Sequence, residues 1–211
     1  MPAGMASSSR GAIVLAGGPS TRLGRPKAFV RVGGVPLLQR AVSAASAVAG
    51  EVVVVSRGAL ARRIERALPE GLRVVRDGSR VRAPVVGLLA GAAVLRAAYV
   101  AVLACDLPFV RRPLLARLFR EARGRDAAVP RWPDGRLEPL VAVYRRAALL
   151  RAARSALASG ERSSLEMLAR LREVRFIPVA SLRSCDPDLR SFVNVNSPED
   201  LARARRLARR P

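Results

Sequence analysis

The stretch GAIVLAGGPSTRLGRPKAF, Gly11 to Phe29, decides the fold. Its first part is a short apolar run carrying Ile13 and Val14, which predicts a buried strand. The run breaks at the pair Gly17 and Gly18, and a loop follows that carries Arg22 and Lys27. Ligands of α/β sheets sit beyond the carboxyl ends of the strands, where a glycine-rich loop lets backbone N–H groups approach an anion. Arg22 and Lys27 add positive charge at that place. The spacing matches neither G-x-G-x-x-G nor G-x-x-x-x-G-K-[ST], which argues against a dinucleotide fingerprint and against a P-loop. The alternative is a glycine turn that happens to hold two basic residues. Lys27 is singular: of 38 lysines and arginines it is the only lysine.

Outward from this loop, short apolar runs alternate with helical patterns. Residues 36–49, 58–68, 83–98 and 111–122 have helical spacing, while 51–56, 72–77 and 99–106 read as strands, the last the most strongly apolar. Such alternation predicts βαβ units, a mostly parallel sheet and helices on both faces: an α/β, three-layer domain. After Asp126 the rhythm loosens. DAAVP and EPLVAVY read as strands around RWPDGR, whose Pro-Asp-Gly is a turn signal. Helices are expected at about 145–158 and 163–171, then a strand at VRFIPV and a short strand at FVNVN. The last helix follows, with Ser197 as N-cap, Pro198 at its first position and Asp200 completing a capping box. Residues 11–211 are expected to form one domain behind a disordered tail, residues 1–10.

Composition narrows the function. Half of the chain is apolar, which excludes a disordered protein, and aromatics at 4% argue against a base-stacking platform for single strands. The net charge of +22 calls for an anionic partner, but the arginines are scattered, which fits a compositional bias better than a nucleic-acid surface. Cys105 and Cys185 make no disulfide framework, and Cys105 reads as a buried thiol. The longest apolar stretch, Ala83 to Leu95, is too short to span a bilayer, and the start of the chain lacks a signal-peptide h-region, so a cytoplasmic protein is expected. There is no histidine, which removes histidine triads, histidine metal ligands and histidine bases.

LAGGPSTRLGRPK resembles the L-A-G-G-x-S-x-R-x-G-x-x-K signature of the nucleotidyltransferases that build sugar nucleotides and cofactors. GGVPLLQR, CDLPF, EPLVAVY, SGERSSLEML and FVNVNSPEDL follow in the order found in the molybdenum cofactor guanylyltransferase family, and the resemblance covers about residues 11–207. It implies a Rossmann-like nucleotidyltransferase domain that joins GTP to molybdopterin, with Mg²⁺ required and pyrophosphate released. By position it implies that Leu15, Ala16, Gly17, Gly18, Arg22, Lys27, Asp77 and Asp106 bind the nucleotide. Lys27, Arg22 and Asp106 would be catalytic, with Asp106 on the metal, and Asn194, Asn196 and Glu138 would face the acceptor. An asparagine that the family carries in its guanine site after the second strand stands here as Val55.

Chemistry read from the residues agrees. Phosphoryl transfer needs charge neutralisation and in-line positioning, and a terminal phosphate with a second pKa of about 6 is already ionised near neutrality, so no histidine base is required. Mg²⁺ takes oxygen ligands and is often held by one or two carboxylates plus substrate phosphates, and Asp106 lies directly past a buried strand. Its alternative is a turn cap before Pro108. Asn194 and Asn196 are the only asparagines, and strand alternation would put both on one face. An Asx turn explains one of them but not both. The expected partners are two small molecules, GTP and molybdopterin, and the expected state is a monomer. The rival readings are a cytidylyltransferase for the same acceptor, a guanylyltransferase for a cobinamide phosphate, and a non-catalytic arginine-rich nucleic-acid binder.

Overall fold

A computed structural model describes residues 10–17, 23–79 and 81–209. Strand β1, Arg10–Leu15, enters the middle of a sheet and is followed by a one-turn 3-10 helix, Lys27–Phe29. A hairpin of β2, Arg31–Val32, and β3, Val35–Pro36, leads into α1, Leu37–Ser46. Then come β4, Glu51–Ser56; α2, Gly58–Ala67; β5, Arg73–Arg76; α3, Pro84–Val94; β6, Tyr99–Ala104; and α4, Arg112–Glu121. The remainder holds β7, Ala127–Arg131; β8, Val141–Arg145; α5, Arg146–Ala158; α6, Ser164–Ala169; β9, Val174–Pro178; and α7, Pro198–Leu207.

The sheet has the order β5-β4-β1-β6-β8-β7-β9. β5, β4, β1 and β6 pair in parallel, β8 runs against both β6 and β7, and β9 is parallel to β7. The mostly parallel α/β expectation therefore holds, and β8 alone among these strands is reversed. Burial on both sides explains the continuous apolar runs: Ala12 and Val14 face one core, with α1, α2 and α4, while Ile13 faces the other, with α3, α5 and α6. Helix α3 lies close on the sheet because Gly91 leaves no side chain between them. A Cβ there would stand 2.9 Å from Ile13 Cγ2 and 3.0 Å from Val55 Cγ2. Among the described residues no helix is long and apolar enough to cross a membrane.

Several expectations need correction. Arg10 belongs to β1 and not to the tail. The helix expected over 83–98 ends at Val94, where Leu95 turns to an extended backbone. The hairpin β2–β3 was not foreseen; its turn is Gly33 and Gly34, both at positive φ (57° and 78°), the conformation of a two-residue turn that glycine adopts freely. FVNVN is not a strand. Residues 190–192 form a 3-10 turn, and Val193–Asn196 carry no strand pairing. A new strand would have to pair with an edge, and both sides of β6 are taken by β1 and β8. The segment instead bonds only the strand's end, Val195 N–H to the carbonyl of Asp106 at 2.9 Å.

Candidate active site

A cavity of about 250 Å³ opens at the carboxyl ends of β1, β4, β5 and β6. This is the region where the sheet's strand order reverses around β1, the position in which open α/β sheets take ligands. Its floor is backbone. The Ala16 N–H donates to the Val55 carbonyl at 2.8 Å and the Cys105 N–H to the Leu15 carbonyl at 3.0 Å, so the three strand ends are tied together. Leu15, Ala16 and Gly17 line the cavity, and among the described residues a Cβ at Gly17 would meet nothing within 4 Å. Gly18 and Arg22 lie outside the described residues.

Lys27 and Asp106 stand on one wall, and Asn196, behind the lining, completes a cluster of three side chains. Lys27 Nζ donates to Asp106 Oδ2 at 3.1 Å and also to Asn196 Oδ1. The lysine and aspartate side chains are 17% and 18% exposed, so a ligand can reach them but bulk water screens them only in part. Local structure fixes each member. Lys27 opens the 3-10 turn after Pro26, and the buried Ala28 anchors the turn in the core. Asp106 follows β6 by two residues, with its carbonyl held by Val195. Asn196 precedes α7, where the carboxylate of Asp200 accepts from the Asn196 and Ser197 N–H groups at 2.9 and 3.0 Å and the Ser197 hydroxyl accepts from the Asp200 N–H. The expected capping box is thus present, and it orients the residue that touches Lys27. Asn194 is exposed and does not share this contact.

The opposite wall is built after β4 and β5. Asp77 lines the cavity; its Oδ1 accepts from the Ser79 N–H at 2.9 Å, and Arg57 stands 4.0 Å away. Arg57 also donates to the carbonyls of Ser79 at 2.6 Å and Val81 at 3.4 Å, so one guanidinium clamps the 77–81 loop. Ser56, buried, donates from its hydroxyl to the Ala16 carbonyl at 3.0 Å. The sequence reading missed Ser56, Arg57 and Arg82 in this lining. Position at the end of a predicted strand was the available signal for the first two, but one arginine among 37 does not stand out. Val55 lines the cavity while its side chain is 3% exposed and packed toward α3, so it offers the site an apolar surface only.

Glu138 and Cys105 stand apart from the Lys27 cluster. Glu138 does not line the cavity. Its carboxylate accepts from the Trp132 indole N–H at 2.7 Å and from Arg136 at 2.9 Å, within the β7–β8 turn. Cys105 is buried and free, as expected; burial, and then the neighbouring charge of Asp106, push its thiol up to about 12, so it stays protonated and unreactive. Among the described residues no three of His, Cys, Asp and Glu gather into a cage for a metal. Two carboxylates, Asp106 and Asp77, line the cavity on opposite walls, and a hard divalent cation such as Mg²⁺ is commonly held by one or two carboxylates together with water and phosphate oxygens.

The model of the MobA-like NTP transferase domain family matches residues 12–174. The chain is 37% identical to a probable molybdenum cofactor guanylyltransferase of Methanosarcina acetivorans, over 92% of this chain and 88% of that one. It is 38% identical to a protein of the same description from Natronomonas pharaonis, over 93% and 96%. Among solved structures, molybdopterin-guanine dinucleotide biosynthesis protein A of Archaeoglobus fulgidus superposes with a TM-score of 0.80 at 30% identity, over 93% and 97% of the two chains. The 2-C-methyl-D-erythritol 4-phosphate cytidylyltransferase of Thermus thermophilus gives 0.69 at 26% identity, over 94% and 98%.

Proposed function

Since the chain belongs to the MobA-like NTP transferase family, we propose that it transfers GMP from GTP to the terminal phosphate of molybdopterin. An oxygen of the acceptor phosphate forms a bond to the α-phosphorus, the bond from that phosphorus to the bridging oxygen breaks, and pyrophosphate leaves with the electron pair. No base is needed, because the attacking phosphate is largely ionised already. The observation that carries this reading is the Lys27–Asp106–Asn196 cluster at the mouth of the cavity. An ammonium beside a carboxylate is what a triphosphate and its metal ion require: Lys27 neutralises phosphate oxygens, and Asp106 holds Mg²⁺. The ion, when bound, neutralises charge that builds on the leaving pyrophosphate. Leu15 to Gly17 and Asp77 line the nucleotide's side, and Asn196 keeps Lys27 in place next to the acceptor. Gly18 and Arg22 extend the phosphate loop in this proposal, and Asn194 borders the acceptor's approach.

The test is to incubate the protein with each nucleoside triphosphate, Mg²⁺ and molybdopterin, and to follow pyrophosphate. GTP should be used far better than CTP or ATP, because buried polar groups that read one base go unpaired against another. Val55 favours a second reading, cytidylyl transfer to the same acceptor, since an apolar wall stands where guanine-specific relatives are expected to carry asparagine. A preference for CTP would establish that reading and overturn the first.

A further inference from the structure

A second cavity of about 440 Å³ lies under the turn after β7, lined by Arg131, Trp132, Gly135, Pro178 and Ala180. We infer that it seats the heteroaromatic ring system of the acceptor, a pterin-type ring, while the acceptor's phosphate reaches Asp106. This deepens the guanylyl-transfer reading and rests on it.

The sheet sets the geometry. Arg131 pairs with Pro178 at the carboxyl ends of β7 and β9, and the Ala104 N–H bonds the Leu140 carbonyl beside the reaction centre. Only β8 lies between β6 and β7, so two strand spacings of about 4.8 Å put the second cavity on the order of 10 Å along the same sheet edge from the end of β6. In-line displacement requires the attacking group to come from the side opposite the leaving group. The first cavity runs along the edge from β5 to the end of β6, which leaves the β8-β7-β9 side for the acceptor.

The wall there is built for a flat ring. Trp132 is the only tryptophan of a chain with 4% aromatics. It is fixed three ways: its N–H on Glu138 at 2.7 Å, the Phe192 ring packed edge-on at 5.6 Å, and the Arg136 guanidinium 4.7 Å from its centroid. A preorganised indole offers stacking at low entropic cost, and Arg131 in the lining supplies donors for ring nitrogens and keto oxygens. Phe192 also ties this wall to the centre, because the same segment ends in Asn196 on Lys27. Glu138 is then a positioning residue for the indole and does not itself touch the acceptor.

Because Trp132 is the sole tryptophan, its emission reports the cavity directly. The protein saturated with Mg-GTP is titrated with free pterin, which has no phosphate to react. Saturable quenching is expected, and Ala180→Phe, a substitution at an exposed lining residue, should abolish it. In pyrophosphate assays Trp132→Ala and Ala180→Phe should each raise KM for molybdopterin about tenfold, the order of losing one ring stack, with KM for GTP within about twofold. Quenching that occurs only without GTP would put pterin in the nucleotide cavity and overturn the inference. So would an absence of quenching, or an unchanged acceptor KM in Ala180→Phe. If the wild type releases no pyrophosphate with any nucleotide, the transfer reading fails, and the quenching in GTP-saturated protein still decides the ring seat by itself.

Discussion

Replacing Lys27 tests the reaction centre most directly. Its ammonium stands 3.1 Å from Asp106 Oδ2, with both side chains more than four-fifths covered at 17% and 18% exposure. Two unit charges at that separation interact by about 1.3 kcal/mol in bulk water and about 5 kcal/mol at an effective dielectric of about 20. A phosphate oxygen that takes the carboxylate's place meets the same ammonium at a similar distance. The bracket spans about tenfold to a few thousandfold in rate, and removing a single preorganised donor from other active sites costs on the order of 10² to 10³. Lys27→Ala is therefore expected to lose on the order of 10² to 10³ in kcat with its fold intact. Lys27→Arg keeps the charge but replaces a compact head by a planar fork, and should lose more than about tenfold. The assay is pyrophosphate release at saturating GTP and molybdopterin, with the thermal midpoint as the control for folding. Lys27→Arg within about twofold of wild type, or Lys27→Ala retaining more than about a tenth of the rate, would refute the argument.

Three other outcomes follow from the same contacts. Asp106→Asn should lose the rise in thermal midpoint that Mg-GTP gives the wild type while the ligand-free midpoint changes little; an undiminished rise removes Asp106 from the metal site. Asn196→Ala should cut kcat about ten- to a hundredfold and leave calorimetric GTP affinity within about threefold, since misplacing a positioned group acts on the reaction step; affinity lost in proportion to activity would move Asn196 to the nucleotide's side. Asp126 controls an acid-sensitive part of stability: burial alone would raise its pKa, but Arg145 and the backbone N–H groups of Arg172 and Glu173 outweigh that and hold the carboxyl below its ordinary value. A depressed folded-state pKa contributes fully above the unfolded value of about 3.9 and is lost as pH falls through the folded one, so the gap in midpoint between wild type and Asp126→Asn should be constant from neutral pH down to about pH 5 and shrink below about pH 4. A gap that stays the same down to pH 3 would contradict this.

The legible parts of the fold were those whose burial is two-sided. β1, β4 and β6 carry helices on both faces, so their residues form unbroken apolar runs. Direction was harder to read. EPLVAVY looks the same whichever way it runs, and β8 is reversed because the Pro133-Asp134-Gly135 turn returns the chain at once beside β7. The β2–β3 hairpin was hidden by its size, two residues a side, although the Gly-Gly turn inside RVGGVP was present to be read. FVNVN misled because alternation describes a segment and says nothing about whether a partner edge is open to it. In the site, residue rarity was the useful signal. Lys27 and Asn196 stood out by being uncommon, and the structure brings them into contact. Asn194 was equally uncommon and is not in that contact, while Ser56 and Arg57, common types in this chain, are in the cavity wall.

The two cations of the cavity show why one position keeps lysine in so arginine-rich a chain. Arg57 holds two carbonyls of one loop, Ser79 and Val81, and a planar fork with donors on neighbouring nitrogens matches that pair. Lys27 faces a different task. Asp106 and Asn196 come from segments 79 and 169 residues away along the chain, and both acceptors converge on one nitrogen. A single ammonium nitrogen can direct its three protons to acceptors that share no plane, and it can turn toward a phosphate without moving its stem. A guanidinium in that place would spread its donors over five N–H groups in one plane. Arginine can replace lysine wherever a charge only meets solvent. It cannot do so where three segments of the fold meet on one atom, and in this chain Lys27 is at such a junction.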